Sequence, residues 1–148
     1  MPQYIPFVFL SILALWGAWT DLRTRRISNL LVILTVIFGL LFPALEGNWD
    51  AVLMHLAHFS VALVIGLALF AAKFWGGGDG KLYAAIAAWF PIEQFFFLVF
   101  AISAVGLVLV LVIVARNGGR LMARSASSVP YGVAIGLGGI VNFSRVLW

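Results

Sequence analysis

The stretch "FWGGGDGKLYAAIAAWF", Phe74–Phe90, places an aspartate and a lysine behind three glycines and then runs apolar only from Lys81 to Phe90. A helix of that length rises roughly 15 Å at 1.5 Å per residue, about half of a bilayer's hydrocarbon core. The segment therefore reads as a helix that either thins the bilayer locally or starts below the headgroups, with Gly76–Gly80 as a loop dipping into the membrane. Irregular backbone is tolerated at that depth only against protein or a water-filled cavity. The glycines suit such a loop because they permit positive φ and let a bound peptide lie close to the backbone.

The rest of the chain agrees with a membrane setting. Its 148 residues are 64% hydrophobic and 9% charged, with a mean hydropathy of +1.14, a composition that excludes a soluble domain of this size. Besides Lys81–Phe90, apolar runs cover Tyr4–Thr20, Leu30–Leu45, Ala51–Ala72, Phe95–Ala115 and Pro130–Leu147, most of them near the roughly 20 residues a spanning helix needs. The expected fold is an all-α integral membrane bundle of about six transmembrane helices, read as one domain over residues 1–148, since no repeat, low-complexity tract or linker interrupts it. The first run follows Met1, Pro2 and Gln3 with no Lys or Arg and leads into charged residues, so it reads as a retained helix and not as a cleaved signal. The absence of Cys excludes disulfides, thiolate zinc sites and thiol nucleophiles.

Orientation follows from the basic residues. Arg23, Arg25, Arg26, Lys73, Lys81, Arg116, Arg120 and Arg124 all fall after the first, third or fifth run, on one face of the bundle; Arg145 is the exception. The positive-inside rule makes that face cytoplasmic and the topology N-out, C-out. Trp16, Trp19, Trp49, Trp75, Trp89 and Trp148 lie near predicted helix ends, where indole rings favour the headgroup zone.

Of the acidic residues, Glu46, Asp50 and Glu93 sit in the outer connections, which leaves Asp21 and Asp79 on the basic face. Two facing carboxylates cannot both ionise comfortably and share one proton. The ionised member can then activate water while the protonated member polarises an amide carbonyl, which is aspartic peptidase chemistry. A blander reading of the same residues makes Asp79 an N-cap and pairs Asp21 with Arg23 or Arg25. The two are compatible, and capping would bias Asp79 toward ionisation and the water-activating role.

Competing motifs fail. "WGGGDGKL" lacks the first glycine and the Ser or Thr of a phosphate-binding loop, and Lys81 occupies the last glycine position of G-x-G-x-x-G. His55 and His58 in "HLAHF" lack the Glu and spacing of H-E-x-x-H and read as packing or interfacial histidines, so no metal is expected. No serine nucleophile has a visible base. Arg116, Arg120 and Arg124 read as an anionic-lipid anchor or a docking surface, and the Gly132 to Gly136 spacing as close helix packing.

"GGGD" at Gly76–Asp79, followed by Lys81 and Leu82, together with Asp21 in "DLRTRRISN" and the late "VPYGVAI" at Val129–Ile135, resembles the type IV prepilin peptidases, above all the short members serving Tad (Flp-type) pili. The resemblance covers nearly the whole chain. It implies a membrane aspartyl endopeptidase that removes the basic leader of prepilin or pseudopilin precursors at the cytoplasmic face of the bacterial inner membrane, with Asp21 and Asp79 as the catalytic pair. Gly76, Gly78, Gly80, Lys81, Arg23, Arg25 and Arg26 then surround the substrate, which presents a scissile bond just outside a hydrophobic helix. Long members also methylate the new N-terminus through a cysteine-rich segment for which this chain has neither cysteines nor room. Ser28 stands where many members have Pro, and can cap the second helix equally well; Val133 replaces a second Pro of long members. No cofactor and no nucleic acid are implied, and membrane lipids are the other expected contacts. An archaeal-type preflagellin peptidase, a small proton-coupled transporter and a non-enzymatic secretion scaffold remain open as alternatives.

Overall fold

The computed structural model describes Pro2, residues 4–116 and residues 130–147. Arg120, Arg124 and Trp148 fall outside the described residues. Within them the chain forms six α-helices and one short 3₁₀ turn: α1 (Tyr4–Thr24), α2 (Asn29–Leu45), α3 (Trp49–Ala71), α4 (Gly77–Ala87), the turn Ile92–Gln94, α5 (Phe95–Arg116) and α6 (Tyr131–Leu147). The apolar runs thus locate every helix. Three segments, Tyr4–Thr24, Trp49–Ala71 and Ile92–Arg116, are long and apolar enough to cross a membrane, and α2 is a shorter apolar helix.

Local chemistry sets the boundaries. α1 continues past its apolar run and carries Asp21 in its last turn. It stops where Arg25 adopts a left-handed φ of 53° and returns its N–H to the Asp21 carbonyl at 3.1 Å, a common way of closing a helix. Ser28 caps α2 by accepting the Leu31 N–H at 3.2 Å, as expected, and Asn48 caps α3 by accepting the Ala51 N–H at 3.0 Å.

α4 is the element around which the others gather. It packs on α3, α6 and α2 and touches α1, while α6 is also held between α1 and α5. All residues from Leu82 to Phe90 are buried, so this short helix never has to span lipid: its neighbours enclose it. Its C-terminal carbonyls, out of reach of water, need donors. His55 Nδ1–H donates to the carbonyls of Ala88 at 3.0 Å and Gly39 at 3.3 Å, and His58 Nδ1–H donates to that of Phe90 at 3.1 Å. A carbonyl only accepts, so both rings carry a proton on Nδ1. The two histidines are packing residues that pin α3 to the end of α4, and no cluster of metal-ligating side chains occurs among the described residues.

Trp89 departs from the interfacial placement expected of it. It is only 4% exposed and donates its indole N–H to the Thr35 carbonyl at 2.9 Å, because the end of α4 lies inside the bundle. Trp16, Trp19 and Trp49 are exposed as an interfacial belt requires.

Glycines set the tightest crossings. A Cβ on Gly66 would lie 2.8 Å from the Gly80 carbonyl oxygen, and one on Gly80 would lie 2.9 Å from that of Gly66. In α6, Gly136 faces the Ala14 carbonyl of α1, Gly138 faces Ile102 of α5 and Gly139 faces Ile86 of α4, each within 2.8 Å of an added Cβ. Small residues on three sides of one helix let three neighbours close on it, which confirms the packing role read from Gly132 and Gly136.

Candidate active site

Two helix starts and one helix end meet at a single cavity of about 400 Å³, lined by Asp21, Arg25, Ile27, Lys73, Trp75, the Gly76–Asp79 stretch and Tyr131, among others. Asp21 arrives on the last turn of α1, Asp79 on the first turn of α4, and Tyr131 at the start of α6.

Asp79 is not the N-cap, and Gly76–Gly80 is not a loop. Gly76 occupies the capping position with extended backbone (φ −70°, ψ 151°) and Gly77 begins the helix. The Gly76 carbonyl accepts the Asp79 N–H at 3.1 Å, and the Asp79 carboxylate reaches back to accept the Gly76 N–H, also at 3.1 Å. This is the third-position half of a capping arrangement. None of these glycines has positive φ; the left-handed residues of the described chain are Arg25, Lys73 and Gly47. The glycines serve close approach: a Cβ on Gly76 would meet Asp79 Oδ2 at 3.0 Å and one on Gly78 would meet Ile27 Cβ at 3.3 Å.

Asp21 is 6% exposed and accepts the Gly132 N–H through Oδ2 at 2.9 Å. That N–H belongs to the first turn of α6, whose amides have no partner within the helix, and the positive end of the helix dipole favours a carboxylate there. Both acids thus sit at helix N-termini, Asp79 at that of its own helix and Asp21 at that of α6. A Cβ on Gly132 would lie 2.9 Å from Asp21 Cβ, Cγ and Oδ2, so the approach of the two helices depends on this glycine.

Asp79 lies outside the three candidate spans, and its pKa is raised. Burial is the main cause and the Asp21 charge the second; the Gly76 N–H and Arg25 pull the other way without prevailing. Asp79 therefore holds its proton to a higher pH than an ordinary carboxyl group, opposite to the bias expected of an N-cap. Two acids thus line one cavity, and the charge of Asp21 opposes the ionisation of Asp79.

The basic residues divide. Arg25 and Lys73 line the cavity. Arg23 instead lies over the Trp19 ring at 4.6 Å, and Lys81 donates to Asn29 Oδ1 at 3.3 Å on the far side of α4's first turn. Arg26 is exposed and, like Arg23, Lys81 and Gly80, is not among the residues lining the cavity. The sequence reading passed over Ile27 and Tyr131 and gave Lys73, Trp75 and Gly132 other roles, in topology, at the interface and in helix packing. Trp75 packs edge-on against Tyr83 with centroids 5.5 Å apart and lies 6.2 Å from Tyr131, forming an aromatic wall. The signal for Tyr131 and Gly132 was present in "VPYGVAI": a proline followed by a glycine in the first turn of the last helix.

The sequence profile of the type IV leader peptidase family matches residues 8–111, more than half of the chain and including both aspartates. Among curated proteins, the prepilin peptidase EppA of Methanococcus maripaludis is 28% identical over 91 residues, 62% of this chain but 25% of that protein. The chain thus matches about a quarter of the length of this relative. No solved structure matches it.

Proposed function

The chain belongs to the type IV leader peptidase family, and from that premise we propose that it is an integral membrane aspartyl endopeptidase that removes the basic leader of prepilin-type precursors at the cytoplasmic face. The observation that carries the proposal is the convergence of Asp21 and Asp79 on one cavity, with Asp79's ionisation opposed by Asp21. The basic residues around that end, Arg23, Arg25, Arg26, Lys73 and Lys81, support a cytoplasmic orientation and an N-out, C-out bundle of about six helices in a bacterial inner membrane.

In this reading Asp79 carries the shared proton and Asp21, steadied by the Gly132 N–H, is the base. Water held between them attacks the scissile carbonyl carbon, giving a proton to Asp21, while Asp79 donates its proton to the carbonyl oxygen. The tetrahedral intermediate collapses as Asp21 passes the proton to the leaving amine and Asp79 recovers one from the intermediate's hydroxyl. The pair ends as it began, with one proton between two carboxylates. Gly76 and Gly78 leave the cavity wall low enough for an extended peptide, and a small residue before the cut is favoured.

Tad/Flp-type prepilins are the first substrate reading, on the resemblance of "DLRTRRISN", "GGGD" and "VPYGVAI" to that group. The archaeal source of the curated relative favours a second reading, in which the precursor is of archaeal type. Co-expression with candidate precursors of both kinds and a gel shift for leader removal tests the proposal. Processing of one kind is expected; processing of neither overturns it. A proton-coupled transporter fits less well, because its carboxylates would need access from both faces, whereas both acids here lie at the same end of the bundle.

A further inference from the structure

Three residues of the described chain have left-handed backbone, and each follows a helix: Arg25 after α1 (φ 53°), Gly47 after α2 (φ 70°) and Lys73 after α3 (φ 63°). The conformation closes the helix it follows. The Arg25 N–H returns to the Asp21 carbonyl at 3.1 Å, the Gly47 N–H to that of Ala44 at 3.0 Å and the Lys73 N–H to that of Phe70 at 2.9 Å. Glycine is the residue such a position favours, because a Cβ crowds the neighbouring carbonyl there. Gly47 conforms, and a Cβ on it would meet nothing within 4 Å. The other two positions depart from the rule with an arginine and a lysine, and both line the cavity that holds Asp21 and Asp79. Attraction between a cation and a helix C-terminus does not account for the choice. It needs no left-handed residue, and in α1 Arg23 already supplies it from the last turn.

Resting on the peptidase reading above, we propose that Arg25 and Lys73 are positioning residues for the aspartate pair, their charges brought to the cavity wall by turns that glycine would suit better, so that one carboxylate of the pair stays ionised while the enzyme works. Arg25 acts in this direction on Asp79, favouring its ionisation against burial and against the Asp21 charge. The remaining groups around Asp79 do not replace the two cations. Asp21, from α1, opposes the ionisation. Tyr131, from α6, and Tyr83, one turn further along α4, are neutral at ordinary pH. Lys81, on the same helix as Asp79, is engaged with Asn29 Oδ1 at 3.3 Å and does not line the cavity. Arg25 and Lys73 are therefore the cations that face the pair across the cavity.

Removing the charges without disturbing the turns tests this. The double variant Arg25→Gly/Lys73→Gly keeps the left-handed backbone and relaxes it, while Arg25→Lys/Lys73→Arg keeps both charges. The infrared band of the protonated carboxyl group, assigned to Asp79 by its loss in Asp79→Asn, follows ionisation in the reconstituted full chain with no substrate present. Its midpoint should move to higher pH by about one pH unit in the glycine variant, the low end of what a nearby opposite charge does to a carboxyl group, and stay at the wild-type value in the charge-swapped one. An unmoved midpoint in the glycine variant, or one displaced as far in the charge-swapped variant, overturns the proposal. Melting in acid, where both aspartates are protonated, should be no lower for the glycine variant than for wild type; a clear fall would show that the fold itself requires these side chains, and also overturns it. In leader removal, the limbs of the kcat/KM profile against pH should follow the infrared midpoint upward in the glycine variant, and limbs that stay in place would refute a role in catalysis. If the wild-type chain cuts no precursor, the peptidase reading fails while the infrared midpoint still decides on the cations, so the two failures are distinguishable.

Discussion

Gly132→Ala is a single added methyl whose effect follows from geometry. The new Cβ lies 2.9 Å from Asp21 Cβ, Cγ and Oδ2. Rotating the carboxylate relieves the contacts with Cγ and Oδ2, but Asp21 Cβ is fixed to the backbone of α1, so the start of α6 must also retreat. Either movement breaks the 2.9 Å hydrogen bond from the Gly132 N–H to Oδ2. Hydrogen bonds to charged groups contribute about 1.5–3 kcal/mol, and a barrier raised by that amount slows turnover roughly 10- to 150-fold. The assay is leader removal from a purified precursor in proteoliposomes, with kcat and KM separated and a thermal melt as the control for folding. Gly106→Ala serves as reference, since its Cβ would meet only Ala134 Cβ at the ordinary distance of 3.7 Å; it should stay within about twofold of wild type. Turnover by Gly132→Ala equal to that of Gly106→Ala would refute the claim that α6 positions Asp21.

The other expectations concern packing and charge. Gly80→Leu should abolish accumulation of folded protein, because its Cβ meets the Gly66 carbonyl at 2.9 Å and backbone cannot give way cheaply; normal yield and melting would contradict the α3–α4 contact. His55→Leu leaves the Ala88 and Gly39 carbonyls without their donor and should lower stability by about 1–3 kcal/mol while kcat of the folded fraction and its indifference to chelators persist; inactivation by chelator, reversed by zinc, would contradict this. Asp79 has a raised pKa in the fold, so its proton-linked contribution to stability is fully present below the ordinary value of 3.8 and is lost as pH rises through the folded pKa. Asp79→Asn, which never ionises, should therefore gain on wild type as pH rises through that window, keep a constant advantage above it and show none in acid; a pH-independent difference between their melting curves would argue against burial of an ionisable Asp79.

Much of the helical framework is visible in hydrophobic run length alone, because an apolar stretch such as Phe95–Ala115 has few alternatives to a helix. The start of α4 is not, since four glycines around Asp79 have low helix propensity and read as a loop, whereas tertiary enclosure by α2, α3 and α6 extends the helix back to Gly77. Trp89 reads as interfacial from its place at a helix end; its burial depends on where that end falls in three dimensions. The two aspartates stand out by elimination, as the acids on the basic face. What local sequence cannot express is the pairing of Asp21 with Gly132, which lies 111 positions away. Nor does charge alone separate Arg25, which lines the cavity, from Arg23, which stacks on Trp19.

The most direct test of the central claim is mass spectrometry of a precursor incubated with reconstituted wild-type, Asp21→Asn or Asp79→Asn protein, each first shown to be inserted and folded. Asparagine keeps the size of each side chain but cannot exchange a proton. With wild type, the product should begin directly ahead of the hydrophobic segment; with either variant, the precursor should remain whole. Substantial leader removal by either variant, or a cut deep within the hydrophobic segment, would contradict a shared-proton aspartate pair acting at the cytoplasmic end of the bundle.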